Sequence, residues 1–306
     1  MDGMQERLFD IKSDPNAAGK SIDSLLTSRQ AREDILRLFG GVLPQSIMVA
    51  DKRTRPDDQA KGSYDESEWR SEDANKKMDD IFGISGKGCG NGALSIFPQN
   101  IGDAMIKLYS APGNTILDPF AGHNSRMELA AKNGRHYIGF DISHDFMEKN
   151  RAIAVKYRDK YQVYIELHEG DSREELRKIR DCIGDFTITS PPYYDIEDYG
   201  DEPGQLGKSK TYQLFLDGMG QIIYQNYRCL KPGSFCIYFV NDFRRKGKFH
   251  PYHMDTMQLL INAGFEINDM LIVDLGTPIR AAFATQVVEQ KILPKRHEYG
   301  IICKKS

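Results

Sequence analysis

From residue 96 onward, short apolar runs alternate with stretches whose apolar positions repeat every three or four residues. In NIGDAMIKLYS, residues Ile101, Ala104, Met105 and Leu108 share one helical face. TILD then predicts a short buried strand, SRMELAAKNG a helix closed by Gly134, and HYIGFDI a second strand. The alternation continues through helix DFMEKNRAIAVKYRD, strand VYIELHEGD, helix SREELRKIRD and strand FTIT. A helix near 211–230, strand SFCIYFVND, helix MDTMQLLINAG and two closing strands, FEINDMLIVDL and EYGIICK, complete the pattern. Strands separated by helices pack as a parallel sheet covered on both faces, so the expected fold is doubly wound α/β with a mostly parallel, seven-stranded sheet. The last two strands have no well-marked helix between them, which predicts an antiparallel hairpin at one edge.

The first 95 residues read differently. SIDSLLTSRQAREDILRLFG predicts a capped helix with Leu25, Leu26, Ile35, Leu36 and Phe39 as its apolar members. Residues 51–80 are dense in mixed charge and carry Trp69, the single tryptophan, while SGKGCGNGA (85–93) reads as a glycine-rich connection. An irregular extension over 1–95 and one α/β domain over 96–306 is the expected organisation.

Bulk composition narrows the function. The 306 residues are 40% hydrophobic and 28% charged, an ordinary globular mixture. A net charge of −3 gives no overall field that would draw the protein to nucleic acid or anionic lipid, so a nucleic-acid partner needs a local basic face. The five cysteines (Cys89, Cys182, Cys229, Cys236 and Cys303) show no CxxC or zinc-like spacing, which fits buried thiols in a reducing cytoplasm. Neither the start of the chain nor any later run has the apolar length of a signal peptide or membrane span. A soluble cytoplasmic protein that binds no metal and no membrane is expected.

Three acids fall at the ends of three successive predicted strands: Asp118 in LDPFAG, Asp141 in GFDI and Asp171 in HEGD. A small-residue turn after the first strand lets backbone N–H groups approach a ligand closely, and Asp141, 19 residues beyond Gly122, can accept both hydroxyls of a ribose. Asp171 is suited to an exocyclic amine on adenine. Each aspartate taken alone could merely cap a helix; three at successive strand ends favour a nucleoside-bearing cofactor. GHNSR offers no second glycine, so a dinucleotide finds poor room for its pyrophosphate, and a cofactor without phosphate fits better.

The fourth strand runs into SPPYY (190–194). Two prolines fix φ and remove two N–H donors that would compete for nearby carbonyls. Ser190 contributes a hydroxyl, Pro191 a carbonyl and Tyr193 a flat ring, together a receptor for a planar heterocycle bearing an amino group. The plainer alternative is a rigid loop with an exposed tyrosine.

With DPFAG and SPPYY in place, the chain resembles the S-adenosylmethionine-dependent DNA methyltransferases that methylate exocyclic amines, N4 of cytosine or N6 of adenine. The resemblance covers most of 95–304, including IFPQNIGDAMIKLYSAPGNTILDPFAG and KRHEYGIICKK. It implies a Rossmann-like class I methyltransferase domain with S-adenosyl-L-methionine held by Phe97, Pro98, Asp118, Phe120, Ala121, Gly122, Asp141 and Asp171. It also implies a catalytic pocket of Ser190, Pro191, Pro192 and Tyr193, and Asn241-Asp242 nearby. Serine at the head of the tetrapeptide is more usual among cytosine-N4 enzymes. His123-Asn124 departs from the family's glycine-rich turn, so the methionine end of the cofactor is expected to be held differently.

The resemblance implies in-line methyl transfer to a base flipped out of duplex DNA, as in restriction–modification methylation. No Pro-Cys pair occurs, which argues against ring-carbon methylation through a cysteine. Phosphate contacts are expected from Arg244, Arg245, Lys246 and Lys248 in NDFRRKGKFH, with Lys208 and Lys210 beside the catalytic loop. Target recognition is expected in 1–95, 195–210 or 276–297. Adenine N6, RNA or protein methylation on the same fold, and an inactive nucleic-acid-binding module, are the competing readings.

Overall fold

The computed structural model describes residues 29–40, 42–50, 97–196, 202–275, 287–293 and 295–306. Residues 21–28 of the expected N-terminal helix, the 85–93 connection, Trp69 and Cys89 lie outside them.

The described chain begins with helix α1 (Arg29–Leu38) and strand β1 (Ile47–Val49). The alternating region follows as α2 (Gln99–Tyr109), β2 (Thr115–Asp118), α3 (Ser125–Lys132), β3 (His136–Asp141), α4 (His144–Tyr161), β4 (Ile165–Glu169), the short α5 (Ser172–Glu175) and β5 (Gly184–Thr189). Then come α6 (Tyr212–Cys229), β6 (Leu230–Val240), β7 (Phe243–Arg245), β8 (Lys248–His250), α7 (Tyr252–Ala263), β9 (Phe265–Asp274) and β10 (His297–Lys305).

The main sheet runs β1-β9-β10-β6-β5-β2-β3-β4. β2, β3, β4, β5 and β6 pair in parallel, and β10 is antiparallel to both β6 and β9. One detail differs from the sequence expectation. The sheet has eight strands, because Ile47–Val49 adds a parallel strand to β9. The antiparallel β9–β10 pair lies toward that end of the sheet as expected, with the three-residue β1 outside it. A three-residue strand with Ile47 and Val49 63% and 62% exposed carries too little alternation to be read from its residues.

Strand geometry divides the core. Successive side chains point to opposite faces, so Ile116, Tyr137, Phe186, Ile188 and Ile237 pack on one side with Ile101 and Met105 of α2. Leu117, Ile138, Phe140, Tyr238 and Val240 pack on the other with Phe215, Met219 and Ile222 of α6. Burying one such side chain contributes roughly 1.5–3 kcal/mol, so the two apolar layers dominate the stability. No helix among the described residues is long and apolar enough to cross a membrane.

Strand order reverses between β2 and β5: from β2 the chain proceeds outward to β3 and β4, then returns to β5 and β6 on the other side. In an open α/β sheet, a crevice forms outside the carboxyl ends of the strands at this reversal.

Candidate active site

The turn after β2 is built by Gly122, whose φ of +51° is costly for any residue with a Cβ. A Cβ there would meet nothing closer than the Phe120 carbonyl at 3.9 Å, so backbone angle, and not crowding, selects glycine. The Gly122 N–H donates to Asp141 Oδ2 at 2.7 Å, and the Ser143 N–H donates to Oδ1 at 2.9 Å. Asn150 Nδ2 secures the Gly122 carbonyl at 2.8 Å. Burial pushes the Asp141 carboxyl up to about 6, against the pull of those two backbone donors. Its charge is therefore poised to change just below neutral pH.

Asp118 and Ala121, expected on the cofactor wall, lie beneath it. Asp118 is fully buried and accepts hydrogen bonds from Arg126 Nε at 2.6 Å, the Tyr137 hydroxyl at 2.8 Å and the Thr189 hydroxyl at 2.6 Å. One carboxylate thereby joins β2, α3, β3 and β5. Ala121 is 1% exposed and belongs to the apolar core. Asp118 thus organises the strand tips without lining the cleft.

Above this network lies one cleft of about 1050 Å³, part of it open to solvent. The turn after β2, with Phe120 and Gly122, lines its middle; Asp141 and Asp171, at the ends of β3 and β4, lie to one side and Ser190, Pro191, Pro192 and Tyr193, after β5, to the other, and Phe97 and Pro98 also line it. Ten of the twelve expected site residues therefore share a single wall. Phe97 packs edge-on against Phe239 with ring centres 4.9 Å apart, and Pro98 starts α2. Asp171 is also the cap of α5, accepting the Arg173 N–H at 2.9 Å, and its carboxylate is gripped by the Arg173 guanidinium. The capping alternative therefore holds for Asp171 in geometry, while Asp118 and Asp141 spend their oxygens elsewhere.

On the β5 side, the Ser190 hydroxyl has no partner among the described residues, although it lines the cleft. The loop around it is held by packing. Tyr193 meets Phe243 and Tyr252 edge-to-face, and the Tyr252 hydroxyl donates to the Pro192 carbonyl at 3.3 Å. Tyr194 packs on Tyr212, Phe215 and His250. Beyond the loop, the Asp195 N–H donates to the Gly207 carbonyl at 2.8 Å, and the Asp195 carboxylate pairs with Arg245 Nε at 2.7 Å.

That ion pair alters the reading of the basic cluster. Residues 243–250 form a two-stranded hairpin, β7–β8, turned by Lys246 and Gly247, both at positive φ. Such a two-residue turn matches the strand twist. Arg244, Lys246 and Lys248 are exposed on it, whereas Arg245 is turned inward and pairs with Asp195 just beyond the 190–194 loop. Lys208 and Lys210 are exposed beside the same loop. Asp242 is buried and engaged by His253 and Lys295; neither it nor Asn241 lines the cleft.

Some wall residues escaped sequence reasoning. Arg126 lines the cleft although only 6% exposed, and so do Gly204, Gln205 and Leu206, from beyond the 190–194 loop. His123 also lines it, and burial, with Arg126 and Lys149 nearby, pushes its imidazole down to about 4, so the ring is neutral. No local pattern in SRMELAAK marks Arg126, because the burial of every residue from Ser125 to Ala131 is visible only in the fold.

Residues 41–155 match the family model for DNA methylases of the N6/N4 class. A type II beta methyltransferase, M.BslI of Bacillus sp. (strain NEB-606), is 32% identical over 124 residues, which is 37% of this chain and 13% of that protein. The type II methyltransferase M.MthZI of Methanothermobacter thermautotrophicus is 36% identical over 126 residues, 39% of this chain and 35% of its own length. The chain thus spans well under half of either relative. A Thermus thermophilus protein described as a DNA modification methylase, crystallised with S-adenosyl-L-methionine, is 27% identical, with a TM-score of 0.35 over 44% of this chain and 53% of that one.

Proposed function

We propose that this chain, whose residues 41–155 match the DNA methylase model and which is similar to type II methyltransferases over part of its length, is a DNA methylase that moves a methyl group from S-adenosyl-L-methionine to an exocyclic amine of DNA. Cytosine N4 is the preferred target. The observation that carries the reading is the single cleft shared by Asp141, Asp171 and the Ser190–Tyr193 loop.

The donor set suits this cofactor. Asp141 offers its remaining lone pairs to ribose hydroxyls, and Phe97, Pro98 and Phe120 offer apolar surface to an adenine or a thioether chain. Asp171 meets the adenine amine only on the side left open by Arg173. When bound, S-adenosyl-L-methionine supplies an electrophilic methyl on sulfur.

The protein's own work lies in holding the acceptor. The lone pair of a cytosine amine is delocalised into the ring, which makes the nitrogen a poor nucleophile. The Ser190 hydroxyl and the Pro191 carbonyl accept its two hydrogens, and that geometry favours a pyramidal nitrogen with its lone pair directed along the line of displacement. No carboxylate belongs to the tetrapeptide, so the proton leaves to solvent after transfer. Tyr193, braced by Phe243 and Tyr252, replaces the stacking lost when the base leaves the duplex. Exposed Arg244, Lys246, Lys248, Lys208 and Lys210 would meet phosphates around the flipped nucleotide. Target recognition would come from 1–95, 195–210 or 276–297, which include segments outside the described residues.

Incubation with methyl-tritiated S-adenosyl-L-methionine and, separately, duplex DNA and tRNA, followed by nucleoside digestion, tests this. N4-methylcytosine from DNA is expected. N6-methyladenine from DNA would correct the base alone, whereas label confined to tRNA or to protein would overturn the DNA reading.

A further inference from the structure

Among the described residues lining the cleft, the charged groups are unequal: Asp141, Asp171 and Glu298 are acids, and Arg126 is the one guanidinium or ammonium. His123 is neutral at physiological pH. The Arg126 guanidinium is divided between two tasks. Its Nε donates to Asp118, and its Nη2 donates to the Phe120 and Ala121 carbonyls, the latter at 3.3 Å. Its face lies 5.4 Å from the centre of the Phe97 ring. Nη1 bonds to nothing among the described residues and is not sealed from solvent. A buried cation with one unspent edge on a cleft wall is a receptor for an anion.

We infer that Arg126 binds the α-carboxylate of the cofactor's methionine end through Nη1, taking over what a glycine-rich turn would do with backbone N–H groups. This rests on the methyltransferase reading above. With the ribose on Asp141 at the tip of β3 and the acceptor amine on Ser190 at the tip of β5, the remaining amino-acid end falls by the turn after β2, where Arg126 lies. His123-Asn124-Ser125 in that turn supply no second glycine, so close backbone approach is lost just where this side chain appears. Asp118 couples the arrangement to the acceptor, because it holds Arg126 with one oxygen and Thr189, the neighbour of Ser190, with the other. Arg126 is thus a binding residue that also sets the donor's register against the target loop.

Calorimetric titration tests this without turnover, using S-adenosylhomocysteine, its decarboxylated analogue S-adenosyl-3-thiopropylamine, and methylthioadenosine, which lacks the amino-acid end. In the wild type, loss of the carboxylate is expected to weaken binding about 10- to 100-fold, the size of one charge-assisted hydrogen bond. In Arg126→Met and Arg126→Lys, S-adenosylhomocysteine should weaken by a similar factor while the other two ligands change by less than about twofold, so the discrimination collapses. Parallel weakening of all three ligands would mean that Arg126 serves only to neutralise Asp118, and the inference would fail. If neither variant folds, the wild type decides: equal affinity for the acid and its decarboxylated analogue overturns the assignment, and a gap above about tenfold supports it. Binding of none of the three to the wild type would instead refute the underlying methyltransferase reading.

Discussion

The two halves of the cleft are held together by different forces. On the donor side, below the tips of β2 and β3, order comes from buried polar bonds: Asp118 with Arg126, Tyr137 and Thr189, and Asp141 with two backbone N–H groups. On the acceptor side, order comes from interlocked rings around Tyr193 and Tyr194, with one ion pair, Asp195–Arg245, at the margin. Buried charge fixes position rigidly but fails abruptly when one partner is removed. Aromatic packing degrades by degrees and leaves polar atoms such as the Ser190 hydroxyl unspent. Under the proposed function, the first kind of site would suit a small-molecule cofactor and the second a base held mostly by its faces.

The contrast breaks first at Asp118. Asp118→Ala strands a buried guanidinium and should cost about 3–5 kcal/mol of stability in denaturant unfolding. Ser190→Ala should slow transfer by about 10²–10³ at saturating cofactor, the loss typical of one oriented polar contact in a transition state, with cofactor affinity changed by less than about twofold. Tyr193→Ala should act in the same direction.

A subtler separation comes from pH. The Asp141 carboxyl is raised to about 6, above the roughly 4 of an unfolded chain, so the folded protein binds the extra proton between those values. Its contribution to stability is therefore present at low pH and lost as pH rises through about 6. Cofactor affinity should run the other way, falling by up to about tenfold per unit below pH 6, because ribose hydroxyls need the carboxylate. Asp141→Asn should flatten that profile. The smallest effect is expected at the acceptor margin: Arg245→Ala removes a partly exposed pair worth about 1 kcal/mol or less, and should raise KM for DNA a few-fold while leaving cofactor binding alone.

Much of this organisation was legible in the chain because buried strands read as apolar runs and their ends were marked by acids. What stayed hidden depended on contacts distant in sequence. Asp118 looks like a ligand residue until Thr189, 71 residues away, is seen to occupy it. Arg245 looks like its neighbours Arg244 and Lys246 until Asp195, 50 residues earlier, is found beside it. Arg126 was absorbed into a helix whose local pattern says nothing about burial on all sides. The β7–β8 hairpin was masked by its charge, since a basic stretch carries no apolar alternation to betray a strand. Ser190 and Tyr193 were visible because the double proline beside them has few ordinary uses.

Titrating S-adenosylhomocysteine into the wild type, Ser190→Ala and Asp141→Ala under one set of conditions tests the division between donor and acceptor halves most directly. Ser190→Ala should bind like the wild type, and Asp141→Ala should bind about 100-fold more weakly, having lost two hydrogen bonds to a charged acceptor. Equal weakening in both variants, or none in Asp141→Ala, would contradict it.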